Sequence, residues 1–165
     1  MIGMISVIAV GLALVAPERP LSFSEIKGPA LVVLLKDGCP CTRECRAELN
    51  LLAHVSRGKV RFLGLLDAGA GSAKALAKEA ELEFSVLPDP KRTAIGRLSG
   101  TEALDFRLLG AGGKVIGRWN GLSRTNVALI ARAIGKASGQ PVKIDLSPFT
   151  VLTKYGCAYS DQLAH

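Results

Sequence analysis

A chain of 165 residues with 48% hydrophobic side chains can bury one core of ordinary size, and nothing in its length asks for a second domain. Aromatic residues are scarce at 5% and glycines number 18, so the core is built from Leu, Val, Ile and Ala, which favours an α/β fold over an aromatic-rich β-sandwich. The formal charge of +7 is carried by scattered basic residues such as Lys36, Arg43, Arg46, Arg57, Lys59 and Arg61; without a basic run it reads as a solvated face and argues against nucleic-acid binding.

The chain opens on an uncharged apolar run, IGMISVIAVGLALVA (residues 2–16), which turns polar at Pro17-Glu18-Arg19-Pro20. As a helix it reaches about 22 Å, short of the ~30 Å hydrocarbon core of a bilayer, while it matches the apolar stretch of a secretory signal. Residues 1–20 are therefore expected to be a signal peptide or membrane anchor, which places the rest in an extracytoplasmic, oxidising compartment such as the periplasm. The competing reading is an extra strand or core helix.

Residues 30–35 (ALVVLL) form a continuous apolar run, as expected of a central strand buried on both faces. The cysteines follow at once, and residues 44–55 (ECRAELNLLAHV) carry Leu49, Leu52, Ala53 and Val55 at helical spacing. Residues 60–66 (VRFLGLL) read as a second strand, and 72–82 as a helix rich in Ala, Lys and Glu. A short strand at 84–87 is broken by Pro88-Asp89-Pro90, and residues 91–98 suit a brief helix. Two apolar runs, 106–109 and 114–119, joined by Gly110-Ala111-Gly112-Gly113, predict a β-hairpin. Residues 125–134 read as a last amphipathic helix starting beside the capping residue Ser123, and 136–165 as an irregular tail.

Four cysteines, three of them between Cys39 and Cys45, are too few and too clustered for a disulfide-stapled miniprotein, so they mark a local thiol site. Cys39 and Cys41 fall where a strand hands over to a helix, whose unpaired N–H groups favour a thiolate. Cys45 lies one helical turn past Cys41. Arg43 and Arg46 stand near enough in sequence to lower a thiol pKa, or they point to solvent. Asp37 reads as a turn residue before it reads as a general base. Trp119, Asn120 and Gly121 read as the close of the hairpin. A Cys39–Cys41 disulfide spans one intervening residue and is strained, so Cys39–Cys45 and Cys41–Cys45 are the better structural pairs.

The stretch LVVLLKDGCPCTRECRAELNLL resembles the active-site region of thioredoxin-like redoxins, and FSVLPDP (84–90) is similar to a segment of redoxins of the alkyl hydroperoxide reductase and thiol-specific antioxidant superfamily. The resemblance spans roughly residues 26–135. It implies a thioredoxin-like fold, a central mixed sheet with a C-terminal β-hairpin flanked by helices. Cys39-Pro40 aligns with the redoxin Cys-Pro, and Cys45-Arg46 with the second cysteine of the TlpA-like reductases; either register puts Thr42 where a Cys-x-x-Cys needs its other cysteine. A third register sets Cys41 and Cys45 against the copper-binding Sco-like proteins, with Thr101-Glu102-Ala103 where those carry a histidine ligand; His54 and His165 are no substitutes. Leu104 stands at the position of the family's cis-proline. Lys36 and Ala103 replace a threonine and an arginine of peroxiredoxins. The resemblance also implies that Cys157, in a Gly-Cys tail, folds back as a resolving cysteine for Cys39; the competing reading leaves it without a partner in the chain or paired to another protein.

Three functions follow from these readings. The first is a thiol-disulfide oxidoreductase working through Cys39 with Cys41, Cys45 or Cys157, on a protein or small-molecule disulfide or thiol and with no cofactor. The second is a non-enzymatic thioredoxin-fold subunit of a membrane complex with a structural disulfide. The third is a Cu(I)-binding chaperone using Cys41 and Cys45.

Overall fold

The computed structural model describes residues 19–159. The apolar run at 2–16 and His165 lie outside the described residues, and with them the expectation of a signal peptide or anchor. Among the described residues no helix is long and apolar enough to cross a membrane.

Among the described residues five strands, β1 (Ala30–Leu35), β2 (Arg61–Leu66), β3 (Ser85–Pro88), β4 (Phe106–Leu109) and β5 (Val115–Trp119), make one mixed sheet in the order β3-β2-β1-β4-β5. β1 pairs in parallel with β2 and antiparallel with β4, and is buried along its whole length. Alternation of side chains along a strand explains the unbroken apolar run. Leu31, Val33 and Leu35 enter one core; Ala30, Val32 and Leu34 enter the other.

Among the described residues five α-helices cover the sheet: α1 (Cys41–Glu44), α2 (Arg46–Ser56), α3 (Ala70–Glu79), α4 (Thr93–Arg97) and α5 (Arg124–Ser138). The first core takes Leu49, Leu52 and Ala53 of α2, Ala73 of α3, and Val127, Ile130 and Ile134 of α5. The second takes Ala94 and Ile95 of α4 with Phe23 and Ile26 from a 3-10 turn at Phe23–Glu25. The hairpin of β4 and β5 is antiparallel with a register shift at Leu108/Leu109, and the Ser123 hydroxyl accepts the Asn126 N–H at the start of α5.

Two expected elements differ. The helix anticipated over 44–55 begins earlier and is divided at Cys45 (φ −103°, ψ 15°), although the Leu49 N–H still bonds to the Cys45 carbonyl at 2.9 Å. The last helix runs on to Ser138 and stops at Gly139, whose φ of 69° suits glycine. The rest of the tail is irregular in its dihedrals but returns to the sheet. Phe149 is buried in the first core, and isolated bridges join Leu122 to Lys154 and Glu102 to Ala158.

β4 contains a charge that its apolar neighbours conceal. Arg107 is 2% exposed; its guanidinium donates to the carbonyls of Leu98 (2.9 Å), Phe106 (2.9 Å) and Ser99 (2.9 Å) and reaches the Asp105 carboxylate at 3.3 Å. That carboxylate also accepts from the Thr101 N–H and hydroxyl. Arg107 thus fixes the path of residues 98–105 across one end of the sheet. Replacing one partner of a buried pair strands the other, so Arg107→Ala is expected to destabilise the protein by about 3–5 kcal/mol in urea unfolding; a loss of under about 1 kcal/mol would make the pair no stronger than a surface bridge.

Candidate functional site

The thiol site is built where β1 ends. Gly38 turns the chain with φ +70°, a conformation that glycine adopts without cost, and the Cys39 N–H closes the turn on the Lys36 carbonyl at 3.2 Å. Pro40, with φ −68°, leads into α1. All three clustered cysteines are buried: Cys39 is 4% exposed, Cys41 7% and Cys45 2%.

A strap from the C-terminal tail lies over this cluster. The Leu122 and Lys154 N–H groups each donate to the other's carbonyl at 2.8 Å. Next to them the Gly156 N–H donates to the Ala103 carbonyl (3.1 Å), and the Ala103 N–H donates to the Cys157 carbonyl (3.0 Å). Beyond, the Tyr159 N–H bonds to the Thr101 carbonyl (3.0 Å) and its hydroxyl to the Leu35 carbonyl at the end of β1 (2.8 Å). A Cβ at position 156 would stand 2.6 Å from both the Ala103 carbonyl oxygen and its Cβ, so only glycine lets the strap come this close. Lys154 also pairs with Glu48 of α2 at 3.2 Å.

The strap carries Cys157 onto Cys39. The two form a disulfide with Cα atoms 5.9 Å apart across a sequence separation of 118, and the Cys157 N–H points at the Cys39 sulfur from 3.2 Å. Cys41 and Cys45 are free thiols. The Cys41 sulfur is 2.9 Å from the Cys39 sulfur; because Cys39 has no proton in the disulfide, the Cys41 thiol is the donor. Burial raises the Cys41 pKa above its ordinary value, offset in part by the Cys157 N–H and by the Thr42 hydroxyl and N–H. Burial pushes Cys45 up to about 11, against the pull of the Lys154 ammonium.

One expectation is corrected here, two open alternatives are decided, and one reading holds. Neither Cys39–Cys45 nor Cys41–Cys45 is paired, since the strap brings a remote cysteine to Cys39 and both nearer thiols point into the core. Cys157 is not left without a partner. Arg43 and Arg46 do not serve the thiols: they pair with Glu79 and Glu81, at and beyond the end of α3, on the exposed surface. The position aligned with a cis-proline holds Leu104 with φ 65°, and every described peptide bond is trans.

The remaining residues singled out in the sequence fall outside the sulfur cluster. Asp37 is an exposed turn residue whose N–H bonds to Asp67 Oδ1 at 2.7 Å. His54 is exposed on α2 beside Arg57. The Asn120 side chain accepts from Arg107 at 3.2 Å. Among the described residues no group of three or more His, Cys, Asp or Glu side chains is arranged to hold a metal ion. Sequence reasoning missed Ala103, Gly156, Lys154 and Tyr159, whose roles are set by strap contacts; the Gly-Cys pair at 156–157 was the one local signal.

No family model matches the sequence, and no curated protein matches it. Solved structures do resemble it. An uncharacterised conserved protein of Geobacillus kaustophilus superposes with TM-score 0.62 at 18% identity, over 91% of this chain and 92% of that one. A protein of Bacteroides vulgatus, assigned as a thiol-disulfide oxidoreductase, gives 0.58 at 19% identity, over 72% and 80%. The bacterioferritin comigratory protein of Xanthomonas campestris gives 0.55 at 13% identity, over 67% and 80%. At such identities the likeness speaks for the fold alone, and that fold is thioredoxin-like.

Burial makes Cys45 a test of the site's electrostatics. A thiol whose folded-state pKa is raised stabilises the fold while both states are neutral, and that contribution is lost as the pH climbs from the unfolded value of 9.0 through about 11. Stability to urea is therefore expected to fall across that window in the native protein, and to fall less in Cys45→Ala.

Proposed function

We propose that the chain is a thiol-disulfide oxidoreductase of redoxin type, in which Cys39 exchanges with a protein or small-molecule thiol or disulfide and Cys157 is its internal partner. The observation that carries this reading is the Cys39–Cys157 disulfide, a two-electron couple closed by a peptide strap from the far end of the chain. In the reducing direction the Cys39 thiolate attacks a substrate disulfide, giving a mixed disulfide and one substrate thiolate. The Cys157 thiolate then attacks the Cys39 sulfur and expels the second substrate thiolate. The expelled thiolates take up protons, the substrate gains two electrons, and Cys39–Cys157 is left oxidised. The Cys157 N–H, at 3.2 Å from the Cys39 sulfur, supports negative charge there. An exported or membrane-anchored setting, in which the disulfide persists, is part of the same proposal.

A second reading rests on the strap itself. Cys39 is 4% exposed and covered by paired backbone, as suits a structural disulfide in a non-enzymatic subunit docked to a membrane complex. Reduction potential separates the two. Equilibration in graded glutathione buffers, followed by alkylation and peptide mapping, is expected to show the Cys39–Cys157 pair exchanging between about −270 and −120 mV, the span of thioredoxin-fold oxidoreductases. A pair that stays oxidised below about −300 mV supports the structural subunit instead. Gly156→Ala, which pushes the strap off Ala103, is expected to make the pair easier to reduce in the same titration.

A further inference from the structure

The Cys39 sulfur has two sulfur neighbours, one covalent and one not. Cys157 is bonded to it, and the Cys41 thiol sits 2.9 Å away, closer than the separation of about 3.5 Å that bounds near-attack contacts. Disulfides isomerise when a thiolate attacks one of their sulfurs, and here a free thiol already touches one of them. We propose that Cys41 is a second internal partner, which attacks the Cys39 sulfur, moves the disulfide to Cys39–Cys41 and frees Cys157 together with the strap.

The step balances within the chain. The Cys39–Cys157 bond breaks as the Cys39–Cys41 bond forms, Cys41 gives up its thiol proton to solvent, and the departing Cys157 thiolate takes one up. Nothing is oxidised or reduced overall, so no external thiol, oxidant or metal is required. The spacing of one residue makes the Cys39–Cys41 ring tight, so this isomer is the minor one and the stronger oxidant of the two. Cys41, not Cys45, is the attacking group. It is Cys41 whose sulfur contacts Cys39 and whose pKa the Cys157 N–H pulls down against burial, whereas Cys45 is held at about 11.

The strap gives the step a purpose. With Cys157 bonded, residues 156–159 occupy the Ala103 N–H and carbonyl and the Thr101 carbonyl beside the reactive sulfur. Without the covalent bond the strap is held by hydrogen bonds, the Lys154–Glu48 pair and the packing of Tyr159 against the second core, contacts that open without breaking a covalent bond. Isomerisation thus couples uncovering of the site to formation of its more oxidising disulfide. This deepens the proposed function and rests on it for its role in turnover, but the exchange itself is intramolecular and is read without any substrate.

The oxidised full chain, freed of small thiols, is incubated in its native state with a maleimide, then acid-quenched and mapped. Labelling of Cys157 that grows with time, on molecules that carry a Cys39–Cys41 disulfide, is the expected result. Cys41→Ser is expected to abolish that labelling while keeping Cys39–Cys157, and Cys45→Ser to leave it. Because the new disulfide is identified directly by mass in the unmutated chain, the result does not depend on whether a variant folds. The inference is overturned if Cys157 stays unlabelled with its disulfide intact, or if its labelling persists in Cys41→Ser. Glutathione exchange without a Cys39–Cys41 peptide overturns this inference and leaves the proposed function standing; a Cys39–Cys41 peptide without glutathione exchange does the reverse.

Discussion

The buried pair of Arg107 and Asp105 is the interaction on which the site rests. A guanidinium that is almost fully buried must have its donors satisfied, and the carbonyls that satisfy it belong to Leu98, Ser99 and Phe106, so the demand of one charge dictates the course of residues 98–105. Ala103 lies on that course. Its N–H and carbonyl hold Gly156 and Cys157, and Cys157 closes on Cys39. A charge on one strand thereby sets the position of a sulfur from the far end of the chain.

The strap fixes the chemistry as well as the geometry. Covering the cluster removes water from the thiols, and desolvation raises the pKa of Cys41 and Cys45 and so suppresses the thiolate that exchange requires. The same strap supplies the Cys157 N–H, which favours negative charge on both Cys39 and Cys41. Burial and the N–H that partly opposes it come from one segment, so displacing it changes both together. The basic side chains that sequence proximity offered as activators, Arg43 and Arg46, are spent on Glu79 and Glu81; exposed pairs of this kind are screened by solvent and contribute little.

The elements whose pattern is local were legible in the sequence. The apolar run of β1, the glycine turn of the hairpin and the Ser123 cap each state their structure within a few residues. What was illegible depends on distant partners. Arg107 sits in the run FRLL, which reads as apolar with one outward charge, and nothing nearby announces that residues 98–105 fold over to bury it. The division of the helix at Cys45 is equally silent. The disulfide shows the limit most plainly: spacing favoured Cys39 or Cys41 with Cys45, since neighbours close small loops, whereas the pairing is decided by strap contacts with Ala103, Thr101 and Leu122. The resemblance of the Gly-Cys tail to that of some redoxins points to Cys157, and the close approach at Gly156 supplies the physical reason.

Leu104 shows how the fold manages without the proline that thioredoxin-like redoxins carry at the matching position. A leucine with φ 65° occupies the left-handed region at a cost of about 1–2 kcal/mol, and such strain persists only where surrounding contacts over-determine it. Here they do. The Leu104 N–H donates to the Leu34 carbonyl and the Leu34 N–H donates to the Asp105 carbonyl, both at 2.8 Å, which extends the β1 ladder beyond β4. The reversal at Leu104 sends its own N–H to β1 while the N–H and carbonyl of Ala103 serve the strap. Two adjacent residues therefore hold opposite neighbours. With a proline at 104 there would be no N–H to give to Leu34 and no access to this φ, so the strained leucine is the residue that lets the loop join the sheet on one side and grip the Cys157 strap on the other.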